Sequence, residues 1–174
     1  MDLTVLSQQL GKYLDMPSQL PPVEKWSPDL SGDIDILIDR HGQWYHEGDP
    51  ILREKLMRLF STILKREGDE YFLVTPVEKW RIKVEDQPFV VVLMNLSKAN
   101  GQSQIEMITN TGDEFTVNSE HFLEQDDHEA PKVHVRNGMF ARVNRNVFYQ
   151  LADMGIEKDG EYFIESAGES FKIG

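Results

Sequence analysis

Residues 68–86 read GDEYFLVTPVEKWRIKVED. Apolar and polar residues alternate on both sides of Thr75-Pro76, the pattern of two strands that present side chains to opposite faces in turn around a Pro-containing turn. The stretch predicts a β-hairpin pairing residues 71–74 with residues 80–84. Its pentapeptide Pro-Val-Glu-Lys-Trp also occurs at residues 22–26. There Pro21, Pro22 and Pro28 mark an extended linker, because proline fixes φ and lacks a donor N–H. The pentapeptide is not a repeat, but it prompts a comparison of the hairpin with the rest of the chain.

Ahead of the hairpin, Ile51, Leu52, Leu56, Leu59, Phe60, Ile63 and Leu64 recur at helical spacing, which predicts a helix ending at Gly68-Asp69. Its polar face carries Arg53, Glu54, Lys55, Arg58, Lys65 and Arg66. Earlier still, GDIDILIDRHGQWYHEGDPI (residues 32–51) puts Ile34, Ile36 and Ile38 on one face and Asp33, Asp35, Leu37 and Asp39 on the other, with a turn at His41-Gly42. The unit is hairpin, helix, hairpin. Residues 2–15 form an amphipathic helix through Leu3, Leu6, Leu10, Tyr13 and Leu14.

The second half reuses these parts. Residues 104–117 form a hairpin turning at residues 110–113, residues 132–143 another built on Asn137-Gly138, and residues 144–154 a helix. Residues 89–94 read as a buried strand in the connecting segment. Tyr71-Phe72 and Tyr162-Phe163 are 162 − 71 = 91 residues apart, and the same offset takes Glu70 to Glu161, Trp80 to Phe171 and Arg81 to Lys172. An offset of 142 − 53 = 89 aligns Arg53 with Arg142, and 112 − 42 = 70 aligns Gly42 with Gly112. The expected fold is α+β with an internal duplication of hairpin-helix-hairpin modules. The divisions are a helix and Pro-rich linker at residues 1–30, a first module at 31–88 and a second at 89–174, and the interface between modules is the natural place for a pocket. The alternative is that two segments share only the alternation general to α+β proteins.

The 174 residues carry a formal charge of −12 and no cysteine. Absence of cysteine removes disulfides, thiol nucleophiles and cysteine-ligated metals, as suits a cytoplasmic protein. The acidic charge argues against duplex DNA or an anionic membrane as partner, and no leader or spanning segment is expected in MDLTVLSQQLGKYLD.

Asp33 and Asp35, two apart on one strand face, are candidates for acid-base work or cation binding; the simpler account is charge protecting an edge strand. His41, His46, His121, His128 and His134 show no paired metal spacing. Asp126-Asp127-His128-Glu129 has metal-binding chemistry in what reads as a solvated acidic loop. Ser61, Thr62 and Thr75 lie in no nucleophile elbow, and no glycine-rich phosphate loop is present. The sequence carries no catalytic signature and names no cofactor. Arg53, Arg81, Arg136, Arg142 and Arg145 are more informative, since a guanidinium offers a planar fork to phosphate or carboxylate oxygens. The same arginines could instead pair with the chain's own acids. Trp44 and Tyr149 are the aromatics that would offer a stacking surface.

Gly32-Asp33-Ile34-Asp35, Trp44-Tyr45-x-x-Gly48-x-Pro50-Ile51-x-Arg53, Leu59-Phe60-Ser61-Thr62-Ile63-Leu64-x-Arg66 and the Tyr71 to Lys79 segment together resemble the bacterial domain of unknown function 1285. Thr109-Asn110-x-Gly112-Asp113, Pro131-x-Val133-x-Val135-Arg136-x-Gly138 and Ala141-Arg142-x-x-Arg145 continue the resemblance to the end of the chain. It implies a domain duplication, a second module superficially similar to pleckstrin-homology-like folds, and a nucleotide-like ligand between the modules. Carried over by position it implicates Arg53, Thr75, Glu78, Arg81, Asp86, Asn110, Arg136 and Arg142. The resulting expectation is a non-enzymatic ligand-binding or signal-transduction protein. Arg53, Arg81, Arg136 and Arg142 would contact a small anionic ligand, nucleotide-like in class, and Thr75, Glu78 and Asn110 would orient it. A protein-protein interaction module without a small ligand is the alternative, and a hydrolase using Asp33, Asp35 and Glu78 the third reading.

Overall fold

The computed structural model describes residues 2–14, 19–125 and 130–174. The acidic stretch Asp126 to Glu129 and the expected helix end at Asp15 lie outside these, and the side chains of Tyr13 and Leu14 are not described. The chain divides into two units, Met1–Asp86 and Gln87–Gly174. The architecture is mixed α+β, with two six-stranded sheets, a three-stranded sheet and, among the described residues, three α-helices.

The first unit opens with α1 (Leu3–Leu14), whose buried Leu6 and Leu10 dock it against the unit's second helix, and a short 3-10 turn at Val23–Lys25. There follow β1 (Leu30–Ile38), β2 (Trp44–His46), β3 (Asp49–Pro50), α2 (Glu54–Thr62), β4 (Leu64–Glu67), β5 (Glu70–Val74) and β6 (Lys79–Val84). Their order in the sheet is β3-β2-β1-β6-β5-β4, antiparallel throughout except that β1 and β6 run parallel. The expected hairpin forms, with Tyr71 opposite Ile82, Leu73 opposite Trp80 and Val74 opposite Lys79, one residue before the expected start of the second strand.

Two local expectations are corrected. The helix through residue 67 ends at Thr62; residues 64–67 form β4, antiparallel to β5, and Gly68, at φ +61°, makes the turn between them. The apolar run Leu59, Phe60, Ile63, Leu64 satisfies a helix and a buried strand equally, and all four are buried. The second correction concerns β1, which is interior rather than an edge, because β6 returns beside it. Asp33 and Asp35 project from its exposed face, ahead of Ile36 to Ile38 where β2 pairs with it, so at Asp33 the ladder partner is β6.

The second unit comprises β7 (Phe89–Ala99), β8 (Gln102–Thr109), β9 (Glu114–Thr116), β10 (Leu123–Glu124), β11 (Lys132–Arg136), β12 (Met139–Val143), α3 (Arg145–Met154), β13 (Ile156–Lys158), β14 (Glu161–Ser166) and β15 (Glu169–Lys172). Strands β10-β11-β12-β7-β8-β9 form one sheet and β13-β14-β15 another. The turn at Asn137-Gly138 has both residues at positive φ, 50° and 72°, as a two-residue hairpin loop of this type requires. The strand expected at residues 89–94 runs to Ala99. Only Phe89 to Val91 are buried; Leu93 and Leu96 are exposed where the long β7-β8 hairpin extends beyond its cover.

Pairing registers recur between the units. Phe72 opposite Arg81 becomes Phe163 opposite Lys172, and Lys65 opposite Phe72 becomes Ile156 opposite Phe163, at 163 − 72 = 172 − 81 = 156 − 65 = 91. The preceding hairpins match at another offset: Ile38 opposite Trp44 becomes Ile108 opposite Glu114, at 108 − 38 = 114 − 44 = 70. Even the turn bonds repeat, Gly42 N–H to Asp39 O and Gly112 N–H to Thr109 O, each at 3.0 Å.

Candidate functional site

Of the seven residues expected to contact or orient the ligand, Arg53, Thr75, Glu78 and Arg81 belong to the first unit and Asn110, Arg136 and Arg142 to the second. Arg81, on β6, places Nη1 3.0 Å from Asp33 and Nε 2.9 Å from Glu70. The Nε contact is one of charge without hydrogen-bond alignment, since that N–H has no aligned acceptor. The guanidinium also lies 5.8 Å from the centre of the Phe72 ring. Arg81 is thus held by its own unit's carboxylates.

Thr75 is buried, and its hydroxyl accepts from the N–H of Glu78 at 3.0 Å while its own N–H donates to the Glu78 carbonyl at 2.9 Å. Both residues are brought together as a turn that joins β5 to β6. In the frame set by offset 91, Thr75 corresponds to Ser166, another buried hydroxyl, which accepts from Ile105 N–H at 2.9 Å and donates to Val117 O at 2.7 Å.

In the second unit, Asn110 binds Val90 twice, accepting from its N–H at 3.0 Å and donating its own N–H to the carbonyl at 2.8 Å. That pair fixes the β8-β9 turn to the start of β7. Arg136 contacts Asp113 in the same turn, and Asp113 also accepts from the hydroxyls of Thr109 at 3.0 Å and Thr111 at 2.6 Å. Burial pushes the Arg136 guanidinium down to about 10, still far above neutrality, so it stays charged at pH 7. Arg142 donates to Ala130 O at 2.5 Å. It sits opposite Lys132, at the other end of the β11-β12 hairpin from Arg136, which faces Met139. The hairpin keeps these two arginines apart.

Arg53 differs from the rest. It is the N-cap of α2, exposed, with no side-chain partner among the described residues. A guanidinium has no lone pair to give a helix amide, and no side chain caps this end. The N-cap of α3 is Asn144, at 144 − 53 = 91, so Arg53 corresponds to Asn144 and not to Arg142. Asn144 closes its own helix by accepting from Val147 N–H at 2.8 Å. One unit therefore has a self-capped helix and the other a helix start with no side-chain cap, beside a guanidinium that has no partner among the described residues.

Asp33 and Asp35 do not converge. Asp33 meets Arg81, whereas Asp35 lines a separate cavity of about 420 Å³ with Leu37, Asp39, Tyr45 and Glu85. Asp39 accepts from the amides of His41 and Gln43, both at 2.9 Å, and Glu85 accepts from Arg40 N–H at 3.0 Å, so these carboxylates brace the β1-β2 turn. Desolvation and the adjoining Asp39 charge push the Tyr45 phenol above its ordinary value. Asp39 and Glu85 gave no signal in the sequence, because their meeting depends on the parallel return of β6. The aromatics are corrected in part: Trp44 is fully buried and offers no stacking face, whereas Tyr149 is exposed. Among the described residues no group of three or more His, Cys, Asp or Glu is arranged to hold a metal ion, and no helix is long and apolar enough to cross a membrane.

The fold and these arrangements define a two-unit α+β protein in which Thr75, Arg81, Asn110, Arg136 and Arg142 are each engaged within their own unit. Residues 21–87 match the model of the N-terminal domain of DUF1285, a domain of unknown function, and residues 88–173 that of the C-terminal domain of the same family of unknown function. The chain belongs to the DUF1285 family. It is similar to a DUF1285 family protein from Silicibacter pomeroyi, known from a crystal structure, at 40% identity and a TM-score of 0.82, over 90% of this chain and 88% of that one. It is similar also to a DUF1285 family protein from Shewanella baltica, at 28% identity and a TM-score of 0.57, over 68% of this chain and 90% of that one. No curated protein matches it.

Proposed function

We propose that this protein is a non-enzymatic binding protein for a small anionic ligand, held at the N-terminus of α2 by Arg53 and the first-turn amides. The observation that carries this reading is the uncapped helix start beside a guanidinium without a partner among the described residues, where the matching helix of the other unit caps itself through Asn144. A helix start presents outward N–H groups and the positive end of its dipole, and a phosphate or carboxylate satisfies both. Nucleotides and phosphorylated metabolites are the classes to screen. We further infer that the two units descend from a duplicated ancestor, a reading supported by the recurring registers and by the matching positions of α2 and α3.

The test is a thermal-shift screen against nucleotides, cyclic dinucleotides and sugar phosphates, with Arg53→Asn alongside. Ligand at a hundred times its dissociation constant stabilises the native state by roughly 2.7 kcal/mol. A hit is expected to vanish in Arg53→Asn, which supplies the missing cap and removes the cation. A shift that survives Arg53→Asn overturns the assignment. A second reading, a protein-protein interaction module without a small ligand, is favoured by the carboxylates already engaging Arg81 and Arg136; a blank screen would move the conclusion to it.

A further inference from the structure

The second unit contains a groove of about 470 Å³ between the β7-β8 hairpin and the end of α3 with β13 and β14. Its walls are aliphatic: Leu96 and Ile105, paired across the hairpin, face Met154, Ile156 and Ile164. Ile105 and Ile164 are buried, at 2% and 1% exposure, but Leu96 is 62% exposed and Ile156 44%. The floor is thus finished core and the mouth is uncovered. Its volume and lining are those of small-molecule pockets, which are mainly apolar with a few polar groups at the rim.

The first unit shows the same place closed. Ile156 opposite Phe163 occupies the register that Lys65 opposite Phe72 holds at offset 91. Lys65 is only 7% exposed and donates from Nζ to the Trp26 carbonyl at 2.9 Å, covering the position with a long side chain and the Val23–Lys25 segment. An isoleucine lies open in one unit where a lysine is buried in the other, the reverse of what solvation alone favours.

The rim supplies charge. Lys98 lies on the same face as Leu96, opposite Ser103, and has no counter-ion among the described residues. The acid at the rim, Glu165, is already within 3.6 Å of Lys158. An ammonium with no counter-ion among the described residues, above an aliphatic trough, is complementary to a chain that ends in an anion.

We infer that this groove binds a small anionic amphiphile, a free medium-chain carboxylate, with its chain along Leu96, Ile156 and Ile164 and its carboxylate on Lys98. The site is separate from the start of α2 and does not depend on the Arg53 reading.

Decanoate titrated into the full chain, followed by the δ1-methyl resonances of Ile105, Ile156 and Ile164, tests it directly. Saturable shifts confined to these methyls are expected. Ile156→Lys, which installs the residue of the first unit at an exposed position, is expected to abolish them, with Leu96→Glu on the facing wall as a second block. Lys98→Ala is expected to raise the decanoate dissociation constant about tenfold while leaving decanol binding unchanged, as loss of one charged contact predicts. Absence of saturable shifts, shifts that persist in both blocked variants, or equal effects of Lys98→Ala on acid and alcohol would overturn the proposal.

Discussion

Arg136 lies over Phe89, its guanidinium 4.7 Å from the ring centre, while it contacts Asp113 in the β8-β9 turn. The two charged side chains retain only 13% and 17% of their exposure. Removing the carboxylate takes away the charge partner that Arg136 has in this turn, in a place mostly out of water. Asp113→Ala is therefore expected to cost about 3 kcal/mol, the lower end for a broken buried pair. Urea unfolding of the variant measures it, and a loss below half that value would mean that water replaces the carboxylate.

Glu67 titrates in the opposite environment. Its hydrogen bond to Lys79, at 2.9 Å, holds its carboxyl below the ordinary value, reinforced by the charge of Lys79 and of Lys65. A carboxyl lowered in the folded state stabilises above its unfolded value and loses that contribution as pH falls through the folded one. Stability should decline on acidification below about pH 4.5, and Glu67→Gln should flatten that part of the profile. Chemical denaturation from pH 6 to pH 3 compares the two slopes.

Ser166 offers a test of buried hydrogen bonding. Its hydroxyl, fully buried, joins the Ile105 amide to the Val117 carbonyl. Ser166→Ala strands both groups and is expected to cost roughly 1–3 kcal/mol. Ser166→Thr keeps the hydroxyl and should recover most of that loss if its methyl is accommodated; calorimetry of the pair separates the bond from the packing.

Gly32 has φ +148°, a region that side-chain-bearing residues rarely enter, and an added Cβ would lie 3.3 Å from the Trp80 ring. Gly32→Ala is expected to destabilise by about 1–3 kcal/mol through backbone strain, with a change in Trp80 fluorescence as the ring shifts. An unaltered melting temperature would show that β1 relaxes locally.

Much of the fold was legible because it is local. The hairpin around Thr75-Pro76, the Asn137-Gly138 turn and the helix beginning after Asn144 are each set by neighbours in sequence. Leu64 to Glu67 misled because two buried apolar residues at a helix end satisfy both periodicities, and only the pairing with β5 decides between them. The interior place of β1 was hidden for a related reason: its partner β6 lies about fifty residues away along the chain, from Leu30 to Lys79. The candidate site was legible as a set of residue types but not as an arrangement. A list of arginines cannot show that Arg81 is claimed by Asp33 and Glu70 whereas Arg53 has no side-chain partner among the described residues. Ile156, Leu96 and Lys98 carried no motif, since what distinguishes them is exposure where the matching position in the first unit is covered.

The parallel pairing of β1 with β6 bears on the order in which the first unit assembles. The β4-β5-β6 meander closes through turns of a few residues, so it can zip early and at small entropic cost. Joining β1 to β6 closes a loop of 79 − 30 = 49 residues, a cost that must be met before the contacts return anything. The seam between these strands is accordingly expected to form late in folding, with the Arg81-Asp33 pair that spans it closing as β1 joins β6.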